Sequence, residues 1–553
     1  MHSHATNTDI LTFHLNPVLA SPYPPRFASS RRRVLLGSPA SQSTVGAPAS
    51  KPFCSIPMST VVPVPPELES FIRSHNAQTL LIRGPPGSGK TMLSFALLRA
   101  FPGRRIYASL RVDRPILFKQ FPWLADLPPG ELDVIDTAEQ TDHVTDRGQF
   151  ERKELLLSHP DEAKELQEFH WLPKAVQAAW VLASDEKPTM IVFDSWDAII
   201  DQYFERTSGP AESYPGRAEI ERLLISRMMK KPNVSLVLVL ERDSPSILDY
   251  IVHGIVETSR RLEGGRLERW LSLPKLRGTP IPVDTYPFTL AGGRFTAIMP
   301  TYPSTFLFQN PVPDPTPGVP GQWPGSTDYA DVFGRLLPGR VTMIALASSV
   351  PRELPGVIMA PMLLQTIGGG GRALFFAAPT LDPEDIFAQG DNLIAQHGVS
   401  PNFRVMTSAP LAAGPAKSSG MFVPFHWSKT VPSVPIPDDE EFLRATPAPT
   451  GQNLIVLYIS GLLAAAENAG VTIGHGFLTS FATALFPEAP VHILIFGRDG
   501  EPYFEKFSPI CETLIDVRYT NGRVFLSGHR PYSAPLVLSY EGHKEPFRLT
   551  PIV

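Results

Sequence analysis

Short, almost fully apolar runs recur along this chain, and most lead through a turn into apolar residues at helical spacing. Leu80–Ile82, Met190–Phe193, Val234–Leu240, Val341–Leu346, Leu454–Leu457 and Val491–Phe496 all lack a polar face. Such runs predict strands covered on both sides, and the helical pattern between them, as in Met92–Leu98, predicts an α/β protein. The longest apolar stretch, Leu454–Ala466, is too short to cross a membrane and reads as a strand running into a helix.

Composition narrows the picture. The chain has 553 residues, enough for two or three domains, with 43% hydrophobic and 19% charged residues, so sizeable cores are expected. Sixty prolines and forty glycines imply many loops and linkers. A net charge of -5 gives no global attraction to nucleic acid or to an anionic membrane. Two cysteines, Cys54 and Cys511, build neither a disulfide framework nor a metal cluster, which suits a reducing compartment, the cytoplasm. Residues 1–57 contain Asp9 as their sole acid, with an Arg- and Ser-rich stretch and many prolines. They read as a disordered N-terminal extension outside the fold, a plain tail or sequence translated ahead of a start at Met58, with an organellar transit peptide as the alternative.

The chemistry lies in "TLLIRGPPGSGKTMLSFALLRAF". Between a strand and a helix stands Gly84-Pro85-Pro86-Gly87-Ser88-Gly89-Lys90-Thr91, a complete G-x-x-x-x-G-K-[ST]. The glycines let the backbone curl so that N–H groups face a polyphosphate, and the following helix adds its positive end. Lys90 is expected to reach the β- and γ-phosphates of ATP and Thr91 to ligate Mg²⁺. Such a loop needs a carboxylate on a neighbouring strand. Asp194, at the carboxyl end of Met190–Phe193, supplies it, whereas Asp197 reads as an acid at a helix N-terminus.

The "IVFDS" form of that strand resembles the KaiC-like branch of the RecA superfamily. Lys275-Leu276-Arg277-Gly278, ahead of a "PF" strand, matches a K-x-R-G motif of that branch. "IYASLRVDRPILFKQFPWL", from Ile106, is most similar to gas-vesicle regulators of the GvpD type. The resemblance implies a three-layer α/β/α fold on a mostly parallel sheet. It also implies oligomers, rings among them, in which Lys275 and Arg277 reach a neighbour's γ-phosphate, as an arginine finger does. KaiC-like ATPases end their second strand in paired acids that polarise the attacking water; here Arg111 and Val112 follow "YASL". Asp113 comes one or two positions late, and Glu241, ending "VSLVLVLE", is the other acid near a strand end. Tight Mg-ATP binding with slow hydrolysis is therefore expected.

The second half echoes the first. "RRIYASLRVDRPIL" is echoed from Gly371, "VSLVLVLERD" from Val491, and the stretch from Gly254 from Pro509, with Glu257-Thr258 set against Glu512-Thr513. The reading is two tandem RecA-like domains, 58–300 and 329–553, joined by a Pro/Gly-rich linker at 301–328. The second has lost its site. "ASSVPRELPG" follows its first strand without Gly-Lys-Thr, Tyr458 or Ile459 stands where the carboxylate is needed, and only Arg530 remains near the K-x-R-G position.

Arg227, Lys230 and Lys231 read as either a partner-binding basic patch or cations complementing a helix end. His143, His159 and His170 lie in a polar helical insertion without metal-site spacing. The functional expectation is a nucleotide-dependent switch acting on assembly or on a regulatory protein partner. Two alternatives stay open: a RecA-type DNA-repair or recombination accessory ATPase, and a scaffold holding ATP as a static ligand.

Overall fold

A run without a polar face has to be covered on both sides, and in the computed structural model each of the apolar runs above is a strand between layers. The structure describes residues 61–135, 174–206, 216–300, 337–377, 402–407, 420–444, 453–487, 491–498, 507–539 and 548–553, except 75–76, 110, 129, 184–186, 230, 243, 338, 352–353, 369, 432 and 475. The extension 1–57, the linker 301–328, Lys230 and the three histidines of the insertion lie outside the described residues.

The first sheet contains β1 (Val61–Val62), β2 (Thr79–Arg83), β3 (Arg104–Ser109), β4 (Asp133–Ile135), β5 (Thr189–Asp194), β6 (Val234–Val239), β7 (Gly254–Glu263), β8 (Arg266–Leu276), β9 (Thr285–Thr289) and β10 (Thr296–Ile298). Their order is β1-β10-β9-β8-β7-β2-β6-β5-β3-β4. Strands β4 to β7 and β2 pair in parallel, while β8, β9, β10 and β1 add antiparallel pairs at one edge. Successive strand residues serve opposite faces, as the pleat dictates. Ile106 and Ala108 pack with Trp180, Ile199 and Leu224 of helices on one side. Tyr107 packs with Leu93, Phe95 and Phe71 of helices on the other.

The second sheet contains β11 (Val341–Leu346), β12 (Ala373–Phe376), β13 (Phe403–Thr407), β14 (Phe422–Trp427), β15 (Pro435–Pro437), β16 (Asn453–Tyr458), β17 (Val491–Arg498), β18 (Thr513–Thr520), β19 (Arg523–Arg530), β20 (Leu536–Ser539) and β21 (Arg548–Pro551). Its order is β15-β14-β13-β12-β16-β17-β11-β18-β19-β20-β21. If the edge strands β1, β14 and β15 are set aside, both sheets place their strands in the same order relative to the chain. Two layered α/β units with the same strand order result. Helices cover both faces of the second sheet too, Leu354–Gly368 on one and Ile459–Asn468 with Phe477–Leu485 on the other.

Three sequence readings are corrected. Asp194 is not on the strand beside β2, because β6 lies between β2 and β5. Glu257 and Glu512 are not equivalent in register: Glu257 is level with Arg83, the last residue of β2, whereas Thr513 is level with Thr342 near the start of β11. The echo in sequence slid along the strand because pairing register, rather than a shared dipeptide, fixes height in a sheet. Lys231 is no part of an exposed basic patch: it is buried, its ammonium lies 4.7 Å from the Trp180 ring centroid, and it donates to Ala183 O.

The two sheets meet along β8–β10 and β19–β21. Trp270, Ile298, Phe525, Val537 and Ile552 form one buried cluster, with the Trp270 and Phe525 rings 5.7 Å apart. Polar anchors surround it. The buried Arg523 donates to Ile298 O and Thr285 O, each at 3.0 Å, and its guanidinium lies over Tyr286. Arg266 donates to Gly528 O at 2.7 Å and Ser533 O at 3.1 Å, and Arg518 pairs with the buried Glu268. These cations satisfy carbonyls that docking would otherwise strip of water. Trp270→Ala should cost about 3–5 kcal/mol, read as a lower midpoint in urea denaturation. A loss below about 1 kcal/mol would mean that the cluster does not join the domains.

Candidate nucleotide site

The phosphate loop leaves the end of β2 and enters the helix Lys90–Ala100 through residues that an ordinary backbone could not replace. Gly89, the residue before the helix, has φ +101°, in the region that favours glycine. At Gly84 the limit is approach: a Cβ there would stand 2.2 Å from the backbone oxygen of Thr258 on β7. The loop is stitched to that strand by a 2.7 Å hydrogen bond shared between Ser88 Oγ and Thr258 Oγ1, both buried. No side chain caps the helix, and its first turn holds no acid, so its leading N–H groups face the loop.

Lys90 is buried, and its ammonium donates to Gly84 O at 2.7 Å and Pro85 O at 2.9 Å. The lysine therefore lies folded against the loop it serves. Burial lowers its pKa from the ordinary lysine value; the carboxylates of Glu241 and then Asp194 oppose that, and Arg111 adds to it.

Asp194 ends β5, yet it meets the loop. Thr91 Oγ1 and Tyr107 OH both donate to its Oδ2 at 2.7 Å. The first turn of the helix bridges the gap left by the intervening β6. Burial raises the Asp194 pKa, while the bonds from Thr91 and Tyr107 and the Lys90 charge hold it down. The fully buried Ser195 Oγ has no partner among the described residues. A hard cation that keeps most of its water needs one or two anionic or hydroxyl oxygens from protein. Thr91 and Asp194 fit Mg²⁺ on those terms.

Of the two candidate acids, Glu241 is the one brought to the lysine. Among the charges that raise the Lys90 pKa, its own comes first, and its carboxylate pairs with Arg111 from the end of β3. The Glu241 N–H donates to Asp197 Oδ2 at 3.1 Å, and Asp197 also pairs with Arg217 at 2.7 Å. Asp197, in the first turn of the helix Trp196–Arg206, thus shapes the loop after β6. Asp113 directly precedes the helix Arg114–Gln120. Lys275 donates to Asp249 O at 2.7 Å and Arg277 to Tyr250 O at 3.5 Å. Leu276, between them, is paired to Gly254 and through it to Leu80, so both cations lie toward the starting end of β2, away from their own loop.

Tyr107, Thr258 and Arg111 were not singled out as site residues. Tyr107 carries the one polar atom in an apolar stretch of β3, a faint signal; Thr258 is recognisable only once β7 lies beside the loop. In the second domain Tyr458 ends β16 as Asp194 ends β5. Its ring stacks on Phe496 at 5.2 Å and meets Phe375 edge-on at 5.7 Å, so an aromatic cluster fills the carboxylate's place.

Because the folded chain holds the Asp194 proton more tightly than the unfolded chain, ionising this group costs stability. The cost grows as pH rises from the ordinary aspartate value through the raised folded value, and below that window it vanishes. Asp194→Asn keeps an oxygen for Thr91 and Tyr107. It should raise the thermal midpoint of the nucleotide-free protein at neutral pH, with a gain that shrinks toward about pH 4. A gain independent of pH would assign the effect to packing instead.

Known proteins resemble part of this chain. Residues 68–274 match the family model "GvpD gas vesicle protein, P-loop domain". Protein GvpD1 of Halobacterium salinarum is 32% identical over 244 residues, 43% of this chain and 41% of that protein. Protein GvpD2 of the same organism is 29% identical over 315 residues, 54% of this chain and 58% of that protein. The chain thus spans about half the length of the relatives it matches. Among solved structures, a KaiC-like protein of Pyrococcus horikoshii has 16% identity and a TM-score of 0.26, covering 40% of this chain and 89% of its own. With the complete loop and its threonine on Asp194, residues 68–274 are thus similar to the P-loop domain of GvpD gas vesicle proteins.

Proposed function

We propose that the first domain binds Mg-ATP and that the bound nucleotide acts as a switch, controlling self-assembly or the engagement of a regulatory protein partner in the cytoplasm. The observation that carries this reading is the 2.7 Å contact between Thr91 and the buried Asp194 beneath a complete phosphate loop. Backbone N–H groups of Gly87 to Thr91 would take the phosphates, with Lys90 turning from Gly84 O and Pro85 O toward them. Thr91 and Asp194 would hold Mg²⁺, which supplies charge neutralisation at the phosphates.

Hydrolysis is slow in this scheme, for a reason visible in the side chains. Arg111 occupies the strand end where a water-activating acid would be useful, and it binds the nearest acid, Glu241. Held by that guanidinium, the carboxylate is not free to orient an attacking water. Lys275 and Arg277, turned away from their own loop, are suited to a neighbour's phosphate only if the chain oligomerises. The second domain, with aromatic rings in place of the carboxylate, contributes surface instead of chemistry.

Two outcomes are expected. In size-exclusion chromatography with light scattering, wild type should change mass or shape between apo, ADP and ATP states, and Lys90→Ala should not. A wild type indifferent to nucleotide would remove the switch. Arg111→Ala should raise the ATPase rate about tenfold or more, read by phosphate release, and adding Glu241→Gln should abolish the gain. An unchanged rate in Arg111→Ala would rule out Glu241 as the restrained base.

A further inference from the structure

Arg269, on β8, has its donors divided between two places. Its Nη1 donates to Gly87 O of the phosphate loop at 2.8 Å, and its Nε donates to Val553 O at 2.9 Å. Val553 O also accepts from Leu290 N at 3.1 Å. Leu290 in turn packs on the loop, since a Cβ on Gly89 would stand 3.3 Å from its side chain. Residues 548–553 belong to the second domain, where Arg548–Pro551 is β21 and Ile552 lies in the buried cluster between the sheets. One guanidinium therefore ties the nucleotide loop of the first domain to the last described segment of the second.

Its charge surroundings are unusual. Arg260 lies directly opposite Arg269 in the β7–β8 pairing, and its Nη1 would be 3.5 Å from a Cβ on Gly87. Arg269 therefore faces a like charge at the rim of the loop. Burial first, and the Arg260 charge second, lower the Arg269 pKa. A polyphosphate in the loop would relieve that repulsion, and the relief would be felt at Val553 through the same side chain.

We propose that Arg269 is a positioning residue through which docking of the second domain sets the nucleotide affinity of the first, and through which nucleotide binding is felt at residues 548–553. The inference rests on the nucleotide reading above and gives the second domain a role in the site it has lost. The linkage is reciprocal: whatever the docked segment adds to nucleotide binding, nucleotide adds to docking. Arginine suits the task because its donors are separate and rigidly spaced, whereas one lysine ammonium does not span both carbonyls.

The test is a fluorescence titration of the full chain with a methylanthraniloyl-labelled ATP and Mg²⁺, paired with hydrogen exchange at residues 548–553. Arg269→Ala should weaken binding about tenfold, as for the loss of a charge-assisted contact. Arg269→Lys, which keeps the charge, should follow it. In wild type ATP should change exchange at 548–553, and in both variants that response should disappear while the nucleotide-free thermal midpoint holds. Wild-type affinity in Arg269→Ala or Arg269→Lys, or a surviving exchange response, overturns the inference. A wild type that binds no nucleotide overturns the nucleotide reading itself, and this inference with it.

Discussion

The arrangement depends on one close approach, the backbone of Gly84 against the backbone of Thr258. A Cβ would stand 2.2 Å from the Thr258 oxygen, so the phosphate loop can lie on β7 only because residue 84 has no side chain. That contact does more than shape the loop. β7 continues through a hairpin into β8, and β8 carries both the cation on the loop, Arg269, and the tryptophan in the domain interface, Trp270. Loop, hairpin and second domain are therefore successive layers of one packed ribbon.

Within the site, the buried charges are held by neighbouring polar groups. Lys90 is satisfied by two loop carbonyls and Asp194 by two hydroxyls, so neither buried charge is left bare. Both bear a desolvation penalty, which pushes the lysine pKa down and the aspartate pKa up. A magnesium–polyphosphate complex would bring compensating charge to each. The Arg111–Glu241 ion pair adds a further opposite-charge contact at the strand ends.

The second domain shows what survives when the chemistry is lost. Its strand order repeats that of the first, since layer packing and right-handed crossovers constrain topology whether or not a ligand binds. The carboxylate position could change to Tyr458 because a ring stacked on Phe496 fills the space and removes a buried charge. Three arginines of the interface, Arg266, Arg269 and Arg523, donate across it to backbone carbonyls.

Much of this was written in the order of residues. Apolar runs fixed the buried strands, because a segment without a polar face cannot lie at a surface, and the spacing of Gly84, Gly89, Lys90 and Thr91 announced a phosphate loop, because that curl needs those residue types locally. The tertiary structure decided what depends on register and distance. It put β6 between the loop and Asp194, separated Glu257 from Glu512 despite their matching neighbours, buried Lys231, and brought Tyr107, Thr258, Arg111 and Arg269 to the loop. None of these is a local property. Each joins residues far apart in the chain, and a sequence records its contacts only where the partners are close along the backbone.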